Sequence, residues 1–354
     1  MSGTVTKRYL ILAEGRSGDS HYGKTARGVI RYGPHPTVAL VDSTRAGETH
    51  EGIPVVATVE EALPLGPTTA LVGVATQGGR FPPEWRELLK TCIAAGLDVE
   101  NGLHEFVADD PELAELARSR GVELRDLRRP PAGLNVPTGE NLTIPARIAL
   151  TVGSDCAIGK KTVALELDLA ARRRGLRSVF VPTGQTGIAI AGWGIAVDAV
   201  VSDFLAGAAE RLVVEGHARG GDLLFVEGQG SLVHPAYSGV TLGLLHGSAP
   251  HVLVLCHRAG ATEIEGYPGH ALPSLGELVE LHERVSLPVR PARVACLALN
   301  TAHLSEDAAA AAIAEAAAET GLPADDPVRF GAAPLLDSVL SAFDAQVPVQ
   351  AADH

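Results

Sequence analysis

The sequence predicts an α/β protein: an N-terminal Rossmann-like parallel-sheet domain followed by a second α/β domain built around a phosphate-binding P-loop. Three observations predict it. Short apolar runs bounded by Gly, Pro or Asp alternate with helix-length stretches, the pattern of βαβ units and parallel sheets. One of these runs, Arg147–Val152, leads directly into the glycine-bounded string GSDCAIGKKT at 153–162. The composition also fits, with 46% hydrophobic but only 4% aromatic residues among 354. Cores must then be filled by Ala, Val, Leu and Ile, and 39 glycines supply tight turns.

The elements follow in order. Arg8–Ala13 (RYLILA) reads as a buried strand that runs into the Gly-containing stretch Glu14–Gly33. Thr37–Asp42 is a second strand, followed by a loop to Gly52, and Ala70–Val74 a third, followed by a turn over Ala75–Arg80. A helix from Pro82 to about Ala95, a strand at Leu97–Glu100, a helix beginning near Pro111 and a strand at Val122–Arg125 complete a domain over residues 1–130. No GxGxxG follows its first strand, so the fold does not by itself imply a dinucleotide.

Residues 131–145 lie in a Pro- and Gly-punctuated stretch and read as a linker. The second domain occupies 146–354. After its first strand come a helix over Thr162–Arg174 with Gly175 at its end, a strand at Ser178–Val181 and an Ala-rich helix at about Ala199–Arg219. Asp222–Glu227, Val252–Cys256 and Val294–Leu299 supply three strongly apolar strands, and a long helix spans about Ser305–Thr320.

The string Gly153, Ser154, Asp155, Cys156, Ala157, Ile158, Gly159, Lys160, Lys161, Thr162 carries the most specific chemistry. A strand ending in such a loop wraps backbone N–H groups around phosphate oxygens, and the helix that follows points its positive end at them. Lys160 is placed to reach the same phosphates. The match to GxxxxGK[ST] departs in two ways: one extra residue lies between the glycines, and Lys161 takes the usual hydroxyl position. The spacing resembles the variant loop of dethiobiotin synthetase-like P-loop enzymes. If ATP and Mg were the ligand, Thr162 would be the metal-binding hydroxyl.

Other strand ends add candidates. Glu227 closes an apolar strand beside two glycines, and His234 follows; both are candidate proton acceptors. The segment Pro182–Asp198 reads as too Gly-rich for a stable helix and too apolar for a surface loop. It is expected to close over substrate, with Gln185 and Thr186 offering hydrogen bonds and Trp193 a packing face. Asp198 and Asp203 lie nearby in sequence. Arg258 is a candidate clamp for a carboxylate, since guanidinium binds such groups bidentately. Asn300 and Thr301 end a strand where some P-loop proteins read a base. In the first domain Lys24, Arg27 and Arg31 form a basic stretch, and Gly78-Gly79-Arg80 and Asn101–His104 are strand-end turns.

Bulk properties exclude several classes. The net charge of −13 disfavours duplex nucleic acid, which needs a broad basic face. No uninterrupted apolar run reaches the roughly 18 residues of a membrane span, and the start MSGTVTKRYL has no signal-peptide core. Cys92, Cys156, Cys256 and Cys296 lack CxxC spacing, which argues against structural zinc or a disulfide framework. A cytoplasmic homo-oligomer acting on a small molecule is the expectation.

Along nearly its whole length the chain also resembles a known family. The likeness rests on GSDCAIGKKT, TGQTGIAIAGWGIAVDAVVSDFLAGAAE and DLLFVEGQGSLVHPAYSGVTLGLLHG, and in the first half on TARGVIRY, GGRFPPEW and GLHEFVADDPELAELA. These are similar to the D-glutamate N-acetyltransferase-like proteins, two-domain P-loop proteins formerly known only as a domain of unknown function. The resemblance implies acetyl transfer from acetyl-CoA to the amine of an acidic amino acid, with the P-loop holding CoA phosphates. Family members more often carry Thr at position 154 and Met at 161, where this chain has Ser154 and Lys161. On this reading Glu227 or His234 takes the amine proton, glycine-loop amides stabilise the oxyanion and Arg258 holds the substrate carboxylate. The alternative is an ATP- and Mg-dependent ligase or kinase of the dethiobiotin synthetase type.

Overall fold

The computed structural model describes residues 6–19, 23–74, 77–82 and 84–345. Ala75 and Thr76 of the expected turn lie outside the described residues. Two compact units emerge: one contains the described residues up to Pro131 together with Gly184–Ala199, the other Ala132–Thr183 and the described residues from Val200.

The first unit begins with β1 (Tyr9–Leu12), α1 (Lys24–Tyr32), β2 (Thr37–Val41), β3 (Thr49–His50), β4 (Ile53–Val56), α2 (Val59–Ala62) and β5 (Thr69–Val72). It continues through α3 (Trp85–Ala94), β6 (Asp98–Asn101), α4 (Pro111–Arg120) and β7 (Leu124–Asp126). The sheet order is β3-β4-β2-β1-β5-β6-β7, parallel except for β3 against β4. YLIL of β1 is buried on both faces, which is why a continuous apolar run marks the central strand. Sequence punctuation sets α4. Asp110 accepts from the amides of Glu112 and Leu113, Pro111 occupies the first turn, and Gly121 ends the helix at φ 68°. The Asp42 carboxylate after β2 is filled by the amides of Gly15, Ser17 and Thr44 and the Thr44 hydroxyl.

The second unit runs through β8 (Arg147–Gly153), α5 (Lys160–Arg173) and β9 (Ser178–Val181). The chain then forms α6 (Gln185–Ala191), which belongs to the first unit, and returns as α7 (Ser202–Ala218). Next come β10 (Leu223–Val226), α8 (Ser238–Ser248), β11 (Val252–Arg258), α9 (Leu275–Arg284), β12 (Arg293–Asn300), α10 (Glu306–Thr320), β13 (Ala324–Asp325) and α11 (Ala333–Ala345). The sheet is parallel in the order β13-β12-β11-β8-β10-β9. Strand β8 therefore lies between β10 and β11, and the loops after these three strands meet at their carboxyl ends, where open α/β sheets bind ligands.

Two expectations are corrected. The glycine-rich segment after β9 is not a loop: Gln185–Ala191 is helical, packed on α1, with Ile188, Ala189 and Ile190 buried. Burial of that apolar face outweighs the roughly 1 kcal/mol penalty of a glycine in a helix. Residues 132–145 are also not a loose tether. Thr138 and the Gly139 amide donate to Glu210 on α7, Asn141 Nδ2 donates to Gly247 O at 2.7 Å, and Gly207 meets the Asn135 carbonyl so closely that a Cβ would stand 1.8 Å from it. No described helix is long and apolar enough to cross a membrane.

Candidate active site around the P-loop

Strand β8 delivers the chain into the loop at Gly153, where a side chain would press on Ile158 and Lys160. Ala157 is held at φ 54° and Gly159 at φ 119°, so the loop turns sharply before α5. Non-glycine residues in the left-handed region cost on the order of 1 kcal/mol or more, a strain that such sites tolerate when the surrounding fold fixes the conformation. The first turn of α5 has no side-chain cap, and the positive end of its dipole stands at the loop, the arrangement that binds anions. Lys160, only 6% exposed, folds back to donate from Nζ to the Asp155 carbonyl at 2.5 Å. Asp155 ties the loop together: Oδ1 accepts from the Cys156 amide at 2.6 Å and Oδ2 from the Glu265 amide at 2.7 Å.

The end of β10 forms one wall. Glu227, 6% exposed, accepts from the Thr183 amide at 3.0 Å, while the Thr183 hydroxyl donates to the Glu227 carbonyl. Gly228 lies so close to β8 that an added Cβ would be 1.6 Å from the Thr151 carbonyl. Ser231 donates to the Ser154 carbonyl at 2.9 Å. His234 is buried between the rings of Tyr237 and Tyr267, with centroids at 4.7 and 5.1 Å. Its Nδ1 accepts from the Ala236 amide at 3.2 Å, so the neutral ring carries its proton on Nε2. That arrangement leaves the neutral His234 ring a hydrogen-bond donor at Nε2.

The end of β11 forms the other wall. His257 Nδ1 lies 2.9 Å from Ser154 Oγ, and burial pulls the His257 pKa below its ordinary value. Arg258 is exposed and lines a cavity of about 310 Å³ with Asp155, Ile158, Glu263 and Glu265. Asn300 does not face an open base site. Its Nδ2 donates to the Ile158 carbonyl at 3.3 Å and braces the P-loop, and Thr301 is bound to Asp326 through its amide and hydroxyl.

Gln185 and Thr186 lie in the first unit, at the start of α6. Gln185 Oε1 accepts from Arg128 at 2.7 Å, and the Thr186 and Thr25 hydroxyls are 2.8 Å apart. Trp193 is half-buried just beyond α6. Arg128, which the sequence gave no reason to select, is the hub: it also donates to the Gly102 carbonyl at 2.7 Å and pairs with Asp198, whose Oδ2 is 3.8 Å from His104 Nε2. Lys24, Arg27 and Arg31 lie on α1. Arg128 carried no local signal because its partners at 102, 185 and 198 are distant in sequence.

Comparison with known proteins fits this architecture. A family profile described as the DUF1611_C P-loop domain, a domain of unknown function, matches residues 135–336, and one described as the DUF1611_N Rossmann-like domain matches residues 41–130. The chain belongs to the DUF1611 family. A crystal structure of a DUF1611 family protein from Anabaena variabilis superposes with a TM-score of 0.90 at 43% identity, covering 95% of this chain and all of that one. A protein from Tritonibacter scottomollicae named D-glutamate N-acetyltransferase is 40% identical over 80% of this chain and 84% of its own length. A protein of the same name from a Pseudoalteromonas species is 34% identical over 79% of this chain and 82% of its own. Within this DUF1611 protein, the P-loop, Glu227 and His234 all lie inside the matched P-loop domain.

Proposed function

We propose that the chain transfers an acetyl group from acetyl-CoA to the amine of D-glutamate. The 40% identity over 80% of the chain to a protein named D-glutamate N-acetyltransferase supports the reading. The residues around the loop suit it. The amides of residues 154–162 and Lys160 would hold CoA phosphates at the N-terminus of α5. Lys161 stands where metal-triphosphate loops place a hydroxyl, which favours a phosphate ligand held without the metal role once considered for Thr162. The acceptor amine must be neutral to attack a thioester, and Glu227 at the end of β10 takes its proton. His234 donates from Nε2, and Arg258 at the cavity rim pairs with a substrate carboxylate. Gln185 and Thr186 shape the first unit through Arg128 and Thr25 rather than binding substrate directly. A donor drawn from the cellular CoA pool places the reaction in the cytoplasm.

Calorimetric titration with acetyl-CoA, then with ATP and Mg, each followed by D-glutamate, tests the proposal. Binding of acetyl-CoA with thiol released only when D-glutamate is added is the expected result. ATP-Mg binding with ADP release and no response to acetyl-CoA would replace the transferase with a ligase.

A further inference from the structure

In the first unit, Glu100 of β6 is a carboxylate buried under more positive charge than it needs. Its side chain is 3% exposed. Oε2 accepts from the Tyr9 hydroxyl at 2.9 Å, and Oε1 accepts from Lys7 Nζ and, at 3.1 Å, from Arg125 Nη1. Register accounts for part of this gathering, since Glu100 and Arg125 are paired neighbours on β6 and β7. One cation is enough to neutralise a buried carboxylate, so one positive charge is surplus. Donors are surplus too, because an ammonium offers three N–H groups and a guanidinium five. Lys7 gives one to Glu100, and Arg125 gives one to Glu100 and one, at 3.2 Å, to the Gly192 carbonyl beyond α6. Both cations line a cavity of about 370 Å³. Tyr9 and His35, edge to face with centroids 6.0 Å apart, form one side of it, and Pro34 and Ile190 add apolar surface. Lys7 leads into β1 and His35 into β2, so the cavity lies at the amino ends of these strands. Open α/β sheets usually bind their ligands at the opposite, carboxyl ends. Every lining residue belongs to the first unit.

We propose that this cavity binds a small, singly charged carboxylate with an aliphatic body. The carboxylate takes the spare N–H groups of Lys7 and Arg125 and balances the surplus charge, while its hydrocarbon chain lies against Pro34 and Ile190. An amino acid is disfavoured. Its ammonium would face two cations, and the Glu100 oxygens that could hold it already accept three donors. The volume falls at the small end of the roughly 300–1,000 Å³ typical of ligand pockets, which suits a body of a few carbons rather than a nucleotide. The site is independent of the acetyl-transfer reading.

Ligand-observed NMR titration of the full chain with 4-methylpentanoate tests the site, alongside its neutral amide and leucine, which adds an ammonium to the same skeleton. The acid should bind, and both analogues should bind weaker by roughly tenfold or more, the loss of a charge-assisted hydrogen bond. Two substitutions should move the affinity in opposite directions. Arg125→Gln removes the surplus charge and should weaken binding by a similar factor. Glu100→Gln keeps the side-chain shape, releases both cations and should strengthen it. Ala191→Leu adds bulk to the cavity wall without touching a charge, and should block binding at an unchanged melting temperature. Melting curves show which variants are folded; should Glu100→Gln not fold, Arg125→Gln and Ala191→Leu decide. An amide that binds as tightly as the acid, or unchanged affinity in Arg125→Gln and Ala191→Leu, overturns the site. So does weaker binding by a folded Glu100→Gln, or no binding of the acid by the wild type, and Lys7 and Arg125 are then partners of Glu100 alone.

Discussion

Replacing Lys160 separates two jobs that the structure gives to one ammonium group. Its Nζ donates to the Asp155 carbonyl at 2.5 Å, and the residue is 6% exposed. When phosphate arrives, the same group would exchange that carbonyl for an anionic oxygen. A hydrogen bond to a charged partner contributes about 1.5–3 kcal/mol. Losing it should weaken acetyl-CoA binding roughly 10- to 150-fold. The fold loses a bond to a neutral carbonyl and, in Lys160→Ala, the packing of the aliphatic stem, together about 1–3 kcal/mol. Lys160→Met keeps most of the stem, so it should melt closer to wild type while binding as poorly as the alanine variant. Isothermal titration with acetyl-CoA and thermal melting of both variants provide the assay. Unchanged affinity in Lys160→Met would refute the phosphate role, however the melting temperatures behave.

Further expectations follow from the same unit. Burial holds His251 and His282 at about pKa 4, helped at His251 by Arg290 and Arg147. Unfolded rings take up protons near pH 6.5, so between 6.5 and 4 the unfolded chain binds more protons and stability falls as pH drops. Each ring accounts for about 3 kcal/mol by pH 4, and urea melts of His282→Leu across this range should show a shallower acid limb; an identical limb would sink the assignment. Gly228→Ala forces a Cβ to 1.6 Å from the Thr151 carbonyl and should melt far below wild type or fail to fold. Gly239→Ala, with open space around it in α8, should be neutral or stabilising by up to about 1 kcal/mol, and equal melting of the two variants would contradict the close approach. Glu227→Gln should lower kcat much more than it raises KM, and an equal loss in both would make Glu227 a ligand or a brace instead.

The alternation of apolar runs and amphipathic stretches by itself determined the two parallel-sheet units, because strands buried on both faces have to be continuous apolar runs. It determined the P-loop as well, since a strand, a glycine-bounded turn and a helix N-terminus are contiguous in the chain. The caps at Asp110, Pro111 and Gly121 were equally local. Tertiary structure decided the rest. Only packing against α1 makes Gln185–Ala191 a helix despite its glycines, and only the fold brings Arg128 to Gln185, Asp198 and Gly102 across long sequence separations. The same holds for the proton on His234 Nε2, fixed by the Ala236 amide, and for the approach of His234 to Asp155 and Cys156. Local order follows from neighbouring residues, but the state of a reactive group depends on which buried donors and acceptors the completed sheet places against it.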